Sequence, residues 1–357
     1  MADASYEIAV FGSTPLAALL AGLLASEYHK RVCLVAETGS AFRVPRGIDL
    51  SVMPVTRPET WALLKETTPE VLKLLGRIRA RAGMTRIDPI FVAETPAGAD
   101  GLAHMRHVAL ANGYAVERLA DGAGTGGIAY RLRDAVLLRR AELEPILAGW
   151  LEKSGVGQLS RPDVVATVRR DGTAKLDFHG STAEAAHAVL ADDAAILQYV
   201  AAAERDRTLL LEPATAMLTE PTRPLAAPAM LFVDRRVTLM RGRQGGIIAL
   251  GAGRPQEAIA RIGGCLAERG PLRRAGQRVF RTVGTVDGAP LIGTARGVKA
   301  TVFAGLGVSG AFLAPALARL VAGVSSDSEK AYFSAREAGR GNARALVAEF
   351  VGGEAMA

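Results

Sequence analysis

The sequence RTVGTVDGAPLIGTARGVKATVFAGLGVSGAFLAPALARLVAG at residues 281–323 carries the most specific pattern in the chain. Residues 300–304 predict a buried strand, and Gly305 and Gly307 follow it as a turn that lets backbone approach a planar ligand. A helix is predicted from about Ser309, with its positively polarised end directed at that ligand. The stretch therefore predicts a strand, a glycine turn and a helix that face a bound molecule.

The N-terminal segment has the plan of a dinucleotide-binding βαβ unit. A predicted strand at residues 6–11 is followed by the turn Gly12-Ser13-Thr14-Pro15, an Ala/Leu-rich helix, and a second strand at residues 31–36 that ends at Glu37. The backbone N–H groups at the start of such a helix hold a diphosphate, and an acidic residue in the position of Glu37 accepts hydrogen bonds from ribose hydroxyls. The same carboxylate would repel a 2′-phosphate, which disfavours NADP.

The glycine pattern of this turn is incomplete. G-x-G-x-x-G is met only at Gly12, because Thr14 and Ala17 stand at the second and third positions. Three interpretations stay open: the helix is displaced slightly, the Thr14 hydroxyl donates to a phosphate, or the βαβ unit has lost its nucleotide. Residues 122–127 (GAGTGG) fit the pattern literally, but no amphipathic helix follows them, so they are predicted to form a loop.

Strand patterns in the middle of the chain differ from this unit. Residues 163–178 predict a hairpin that turns at Asp171-Gly172, and residues 237–253, within a strand-rich span at 230–253, predict another that turns at Gln244-Gly245-Gly246. Parallel and antiparallel sheets in one chain indicate an α/β nucleotide domain and a separate α+β domain.

Composition limits the classes of function. The chain has 357 residues and a net charge of +7 without a long basic run, so a nucleic-acid partner is not expected. The scattered arginines fit a solvated surface better than an acidic partner subunit or an anionic substrate. Two cysteines in apolar patterns and the absence of a membrane-length apolar stretch predict a cytoplasmic protein without a membrane span. His104 and His107 share a predicted helix, but they lack a third ligand, so no metal site is predicted.

The C-terminal pattern resembles the closing segment of the D-amino-acid oxidase family of FAD oxidoreductases, which includes glycine and sarcosine oxidases. The matching residues are Thr285, Asp287, Gly288, Pro290, Ile292 and Gly293, followed by Gly305, Gly307, Gly310, Ala314 and Pro315. The resemblance implies a Rossmann-like FAD-binding domain, built from residues 1–56, 139–206 and 284–330, interleaved with an antiparallel-sheet substrate domain. Residues 57–138 and 207–283 would form the substrate domain, and residues 331–357 a C-terminal helical tail.

The resemblance also implies a function and a set of site residues. The activity would be oxidation of the C–N bond of an amino acid or secondary amine by hydride transfer to N5 of FAD, as an oxidase or a dehydrogenase. An arginine would hold the substrate carboxylate, with Arg281 as first candidate and Arg241 and Arg46 as alternatives. The cofactor-binding candidates are Gly12, Ser13, Thr14, Pro15, Glu37, Gly305, Gly307, Val308, Ser309 and Gly310.

Departures from the family pattern support an alternative function. Thr14 and Asp193 stand where the family has glycine, residues 42–54 (FRVPRGIDLSVMP) replace a Ser/Asn-containing flavin contact, and Arg281 lies one residue further from Asp287 than the family arginine. The alternative is a non-catalytic subunit of the same fold that has lost FAD and scaffolds or regulates a partner protein. A flavoprotein subunit of a hetero-oligomeric dehydrogenase is the third interpretation.

Overall fold

The computed structural model of the chain has a mixed α/β fold. It describes residues 4–39, 43–120, 124–202, 209–267, 272–285, 287–295, 297–338 and 349–351. The helices in these ranges are α1 (Pro15–Ser26), α2 (Pro58–Arg77), α3 (Pro96–Ala111), α4 (Arg140–Lys153), α5 (Asp193–Tyr199), α6 (Pro255–Leu266), α7 (Ala314–Ala322) and α8 (Asp327–Ser334).

The first sheet contains the predicted βαβ unit. Its parallel strands are β1 (Ala4–Phe11), β2 (Val32–Ala36), β9 (Gly157–Ser160), β12 (Ser181–Leu190) and β19 (Val298–Ala304), in the order β19-β12-β1-β2-β9. The antiparallel strands β10 (Val164–Val168) and β11 (Ala174–Phe178) extend it beside β12, and β18 (Leu291–Ala295) pairs with β19. The carboxyl ends of β1, β2 and β12 meet at one edge, where loops of open parallel sheets bind ligands.

The helix α1 follows β1 directly and is almost entirely buried. Gly22 in its middle is required by packing, because a Cβ there would lie 2.2 Å from the ring of Trp150 on α4. The helix also packs against α7, so its N-terminus is fixed from two sides. This explains why an Ala/Leu-rich sequence without a charged face forms a helix here.

The second sheet is antiparallel apart from one strand pair. Its order is β17-β13-β16-β15-β14-β5-β7-β6, and only β14 and β5 run parallel. The strands are β5 (Ile90–Ala93), β6 (Val116–Leu119), β7 (Ile128–Leu132), β13 (Leu209–Thr219), β14 (Ala229–Phe232), β15 (Val237–Arg241), β16 (Ile247–Ala252) and β17 (Arg274–Thr285). The two predicted hairpins are therefore confirmed as β10–β11 and β15–β16.

A small third sheet lies near the chain's C-terminal segment. It is formed by β3 (Asp49–Leu50), β8 (Ala135–Leu138) and β4 (Met84–Ile87), in the order β3-β8-β4. The segment Glu349–Val351, called the C-terminal strap below, makes an isolated antiparallel bridge from Phe350 to Val55. Within residues 331–357, α8 ends at Ser334, and the rest of the expected helical tail, apart from the strap, lies largely outside the described residues.

Two local predictions can be compared with the structure. The helix predicted from about Ser309 is present, but it begins as a 3₁₀ helix over Gly307–Leu313, and the α-helix α7 begins at Ala314 with Pro315 in its first turn. Proline favours the first turn of an α-helix, whereas the glycines before it do not stabilise helix. The described part of the 122–127 stretch, residues 124–127, lies outside any strand or α-helix, as predicted.

Candidate functional site

A cavity of about 670 Å³ lies between the carboxyl edge of the first sheet and the face of the second. Its wall begins at Ser13 and Glu37, continues along β17, and reaches the turn at Gly305 and Gly307. The volume lies within the range of small-molecule sites in proteins. One cavity thus joins the two turns that the sequence singled out.

The turn after β1 is tight and depends on Gly12. A Cβ on Gly12 would lie 3.0 Å from Cβ of Ala17 and 3.3 Å from Cγ of Asp192, so any larger residue would push these elements apart. Thr14 is the N-cap of α1, and its hydroxyl oxygen accepts the Ala17 N–H at 3.3 Å. The Thr14 side chain therefore stabilises the helix start.

Asp192 connects this turn to the end of β12. One carboxylate oxygen accepts the Ser13 N–H at 2.7 Å, and the other accepts the Ala195 N–H at 2.8 Å as the N-cap of α5. A single carboxylate thereby compensates the N–H groups at the starts of two helices. Its neighbour Asp193 lines the cavity, and burial raises the pKa of Asp193 to about 7.

Glu37 lies at the end of β2, as the sequence predicts, but three arginines surround its carboxylate. Arg43 donates to one oxygen at 2.6 Å, Arg46 to the other at 3.3 Å, and Arg278 comes within 3.9 Å. The Glu37 N–H donates to the Ser13 hydroxyl at 2.7 Å, which fixes this carboxylate beside the Gly12 turn. Ribose hydroxyls reaching Glu37 would share it with these guanidinium groups.

The second turn follows β19 and also depends on glycine. Gly305 and Gly307 have φ angles of +68° and +59°, a region that residues with a Cβ rarely adopt. A Cβ on Gly307 would lie 2.7 Å from the ring of Phe350, so the C-terminal strap packs directly on this turn and lines the cavity. Ser309 is fully buried, and its hydroxyl donates to the Leu50 carbonyl at 2.6 Å.

The strand β17 forms one long wall of the cavity. Along it, half-buried positions such as Arg278, Phe280 and Thr282 alternate with exposed ones, because successive side chains point to opposite faces. Arg281 belongs to the exposed set and lies at the rim, whereas Thr282 lies on the half-buried face. Arg281 therefore reaches the cavity only at its exposed rim.

The cavity contains a further arginine that the sequence did not single out. Arg236 lines the wall and pairs through both terminal nitrogens with the two carboxylate oxygens of Glu212, which also lines it. Arg241, by contrast, is an exposed residue at the end of β15 and is not among the cavity-lining residues.

Most of the predicted site residues line the cavity, and the others lie behind its wall or outside it. Those that line the cavity are Ser13, Thr14, Glu37, Arg46, Arg281, Gly305, Gly307, Val308 and Gly310. Gly12, Pro15 and Ser309 shape the turns behind the wall. Arg140, Arg236, Arg278 and Phe350 also line it; the first three resemble many scattered arginines in sequence, so only their tertiary positions distinguish them.

Three features of the cavity fit an extended FAD molecule. Gly12 keeps the turn at the start of α1 tight, Glu37 is placed for the adenosine ribose, and the Gly305–Gly307 turn leaves backbone exposed at the far end. Asp193 is the feature that opposes it, because a carboxylate beside phosphates is repelled. The three features that fit FAD outweigh this one, and Asp193 would weaken the binding of the phosphates at this point only.

Neither a metal-binding cluster nor a single membrane-spanning helix occurs among the described residues. Within the described ranges, no group of three or more His, Cys, Asp or Glu side chains could hold a metal ion. No single helix in the described part of the chain is long and apolar enough to cross a membrane; Gly307–Ala322 and Asp327–Ser334 reach that length and composition only together, with a 95° bend between them.

Comparison with known proteins identifies relatives by structure alone. No protein-family model and no curated sequence matches the chain. Glycine oxidase from Geobacillus kaustophilus has a TM-score of 0.70 and 17% identity over 92% of this chain and 98% of its own. L-proline dehydrogenase from P. horikoshii has a TM-score of 0.70 and 16% identity, covering 93% and 97% of the two chains. L-amino acid deaminase from Proteus myxofaciens has a TM-score of 0.70 and 10% identity, covering 92% and 93%. The chain therefore has the fold of these enzymes over nearly its whole length.

Proposed function

We propose that the chain is an FAD-dependent oxidoreductase that oxidises the C–N bond of an amino acid or a secondary amine. The supporting observation is the single cavity that joins the Gly12–Glu37 end to the Gly305–Gly307 turn. Proteins of this fold that oxidise glycine, proline and iminodiacetate support the reaction class. The interleaved domain boundaries inferred from the sequence belong to the same proposal.

The chain's own residues would hold and orient the reactants. The Gly12 turn and Glu37 would hold the adenosine half of FAD, and the Gly305–Gly310 turn would face the N1/O2 side of the flavin, where the start of the 3₁₀ helix favours negative charge. FAD, when bound, accepts the hydride from the carbon next to nitrogen. Leu231, Val233 and Leu250 supply an apolar wall that excludes water from the substrate.

Two arginines could bind a substrate carboxylate. Arg281 lies at the rim, and Arg236 lies in the wall, where it is paired with Glu212; a substrate carboxylate at Arg236 would replace part of that ion pair. A charge-assisted contact of this kind contributes about 1.5–3 kcal/mol.

Anaerobic reduction of the purified flavoprotein by glycine, sarcosine, L-proline and D-alanine tests the activity. We expect at least one amine to bleach the visible flavin band. Arg281→Met or Arg236→Met should raise the substrate concentration for half-maximal reduction about tenfold or more. Arg241→Met, which changes an exposed arginine outside the wall, is the matched control and should leave it unchanged.

The alternative, a subunit that has the fold without the reaction, is supported by Thr14 and Asp193 at the cofactor turn. A purified protein that binds no FAD would favour this alternative, in which a partner protein carries the chemistry, whereas tight FAD binding would exclude it. If all three arginine variants needed the same substrate concentration for half-maximal reduction as the wild type, neither Arg281 nor Arg236 would bind the substrate.

A further inference from the structure

Four arginines from three distant parts of the chain gather at the start of α1. Arg43 and Arg46 follow β2, Arg140 begins α4, and Arg278 lies on β17. Arg140 donates to the Ser13 carbonyl at 2.8 Å, while the other three contact Glu37, whose N–H is bound to the Ser13 hydroxyl. Arg46, Arg140 and Arg278 also line the cavity.

The four guanidinium groups of this cluster lie close enough to repel one another. Glu37 is the carboxylate that contacts three of them. Burial, and secondarily the charge of Arg46, lower the pKa of Arg278, while the charge of Glu37 raises it in part. Asp49, Asp192 and Asp193 also line this end, but Asp192 is already bound to two N–H groups. An additional anion would relieve the repulsion.

The arginines also carry guanidinium N–H donors that remain unused. Nε of Arg46 is buried and has no hydrogen-bond partner within the described structure. Arg278 reaches Glu37 only at 3.9 Å, beyond hydrogen-bond distance, and a guanidinium group carries five N–H donors. Unused donors beside a cavity are suited to phosphate oxygens, which arginine binds through paired hydrogen bonds.

The backbone of the turn supplies few donors of its own. Pro15 has no N–H, the Ala17 N–H is bound by the Thr14 hydroxyl, and the Ser13 N–H is bound by Asp192. Among the described residues, the N–H groups of Thr14 and Leu16 are the ones left at this helix start without a hydrogen bond. A diphosphate at this position would need donors from elsewhere.

We propose that Arg46, Arg140 and Arg278 bind the diphosphate of an adenine dinucleotide at the start of α1. In a turn with three glycines, backbone N–H groups donate hydrogen bonds to the diphosphate; here the three arginine side chains supply these donors. Because it concerns the cofactor's diphosphate, this inference rests on the proposed function. It explains how a turn with Thr14 and Asp193 in glycine positions can still hold an anionic ligand.

Calorimetric titration of the purified, dialysed protein with FAD, ADP, inorganic pyrophosphate and riboflavin tests the proposal. Arg278→Met and Arg46→Met should each weaken binding of ADP and FAD about tenfold or more, and the effect should shrink as salt is raised. Riboflavin has no phosphate, so its affinity should stay unchanged. Arg241→Met is the control for the loss of one positive charge, and its affinities should match the wild type.

Each result bears on one of the two proposals. Unchanged ADP and FAD affinity in both folded variants would overturn the arginine site while leaving the FAD-dependent function intact. Arginine-dependent binding of ADP and pyrophosphate without any binding of FAD or riboflavin would support the arginine site and contradict the flavin function. Equal weakening of riboflavin and ADP would overturn the arginine site, because it would show a general distortion of the cavity. Thermal unfolding of each variant confirms that it is folded.

Discussion

Asp193→Asn should raise the unfolding temperature of the cofactor-free protein at pH 8 and leave it unchanged at pH 4. Asp193 opens α5, lines the cavity, and accepts a hydrogen bond from the Val283 N–H. Burial, and secondarily the charge of Asp192, raise its pKa from 3.8 to about 7, although the Val283 N–H and Arg46 lower it in part. Asparagine has the same shape and can accept the same hydrogen bond without a charge.

The sign follows from proton linkage. The folded protein holds the proton on Asp193 up to about pH 7, whereas the unfolded chain releases it near pH 3.8, so the free energy of unfolding falls as pH rises between these values. The loss reaches at most about 4 kcal/mol, at 1.36 kcal/mol for each unit of pKa shift. Asp193→Asn removes this loss, so the gain should appear above pH 4 and level off above pH 7.

Asp192→Asn is the matched control. Both oxygens of Asp192 accept backbone N–H groups, from Ser13 and Ala195, and an asparagine can accept only one of them. This variant should lower the unfolding temperature at pH 8. A stabilising Asp192→Asn, or an Asp193→Asn gain that is the same at pH 4 and pH 8, would contradict the account of this edge of the cavity.

Arg336→Met should destabilise the protein by about 3–5 kcal/mol, because it leaves the buried carboxylate of Glu349 without its cation. One nitrogen of Arg336 lies 3.1 Å from each carboxylate oxygen of Glu349, and only 4% and 2% of the two side chains are exposed. The guanidinium group also lies 3.6 Å from the centre of the Tyr332 ring. The pair holds the C-terminal strap, and thereby Phe350, against Gly307.

Urea denaturation of Arg336→Met and of the double variant Arg336→Met/Glu349→Leu measures this effect. The double variant removes both charges and should recover part of the lost stability, since an uncompensated buried charge is the main cost. Arg133→Met is the control, because Arg133 pairs with Asp88 and Glu117 through exposed side chains, so its loss should leave the stability nearly unchanged. A loss below about 1 kcal/mol in Arg336→Met would show that the strap is not held by this pair.

The sequence predicts the parts of the fold whose signals are local. A glycine turn between a buried strand and an apolar helix, with Glu37 at the end of the next strand, is enough to predict the βαβ unit. The hairpins β10–β11 and β15–β16 are predicted because turn residues separate short apolar runs. Family resemblance at Gly305–Pro315 adds the overall fold, which structural neighbours share over nearly the whole chain.

The site is less predictable because its residues come from distant segments. Arg46, Arg140 and Arg278 meet only after three elements pack, and nothing in their sequence neighbourhoods distinguishes them from other arginines. The face of a strand cannot be assigned without its register, so the sequence could not predict that Arg281 lies among the exposed positions of β17. Phe350 enters the cavity wall through the strap, which is 45 residues from Gly305 and has no motif.

Titrating FAD into the purified protein while following flavin fluorescence tests our proposal that this chain binds FAD along the cavity. We expect saturable binding of one FAD per chain with a Kd of about 1 μM or tighter. Thr14→Gly with Asp193→Gly, which restores both glycine positions, should bind at least as tightly as the wild type. No binding by the wild type under these conditions would contradict the claim, and binding by the double variant alone would identify a cofactor site that these two residues have closed.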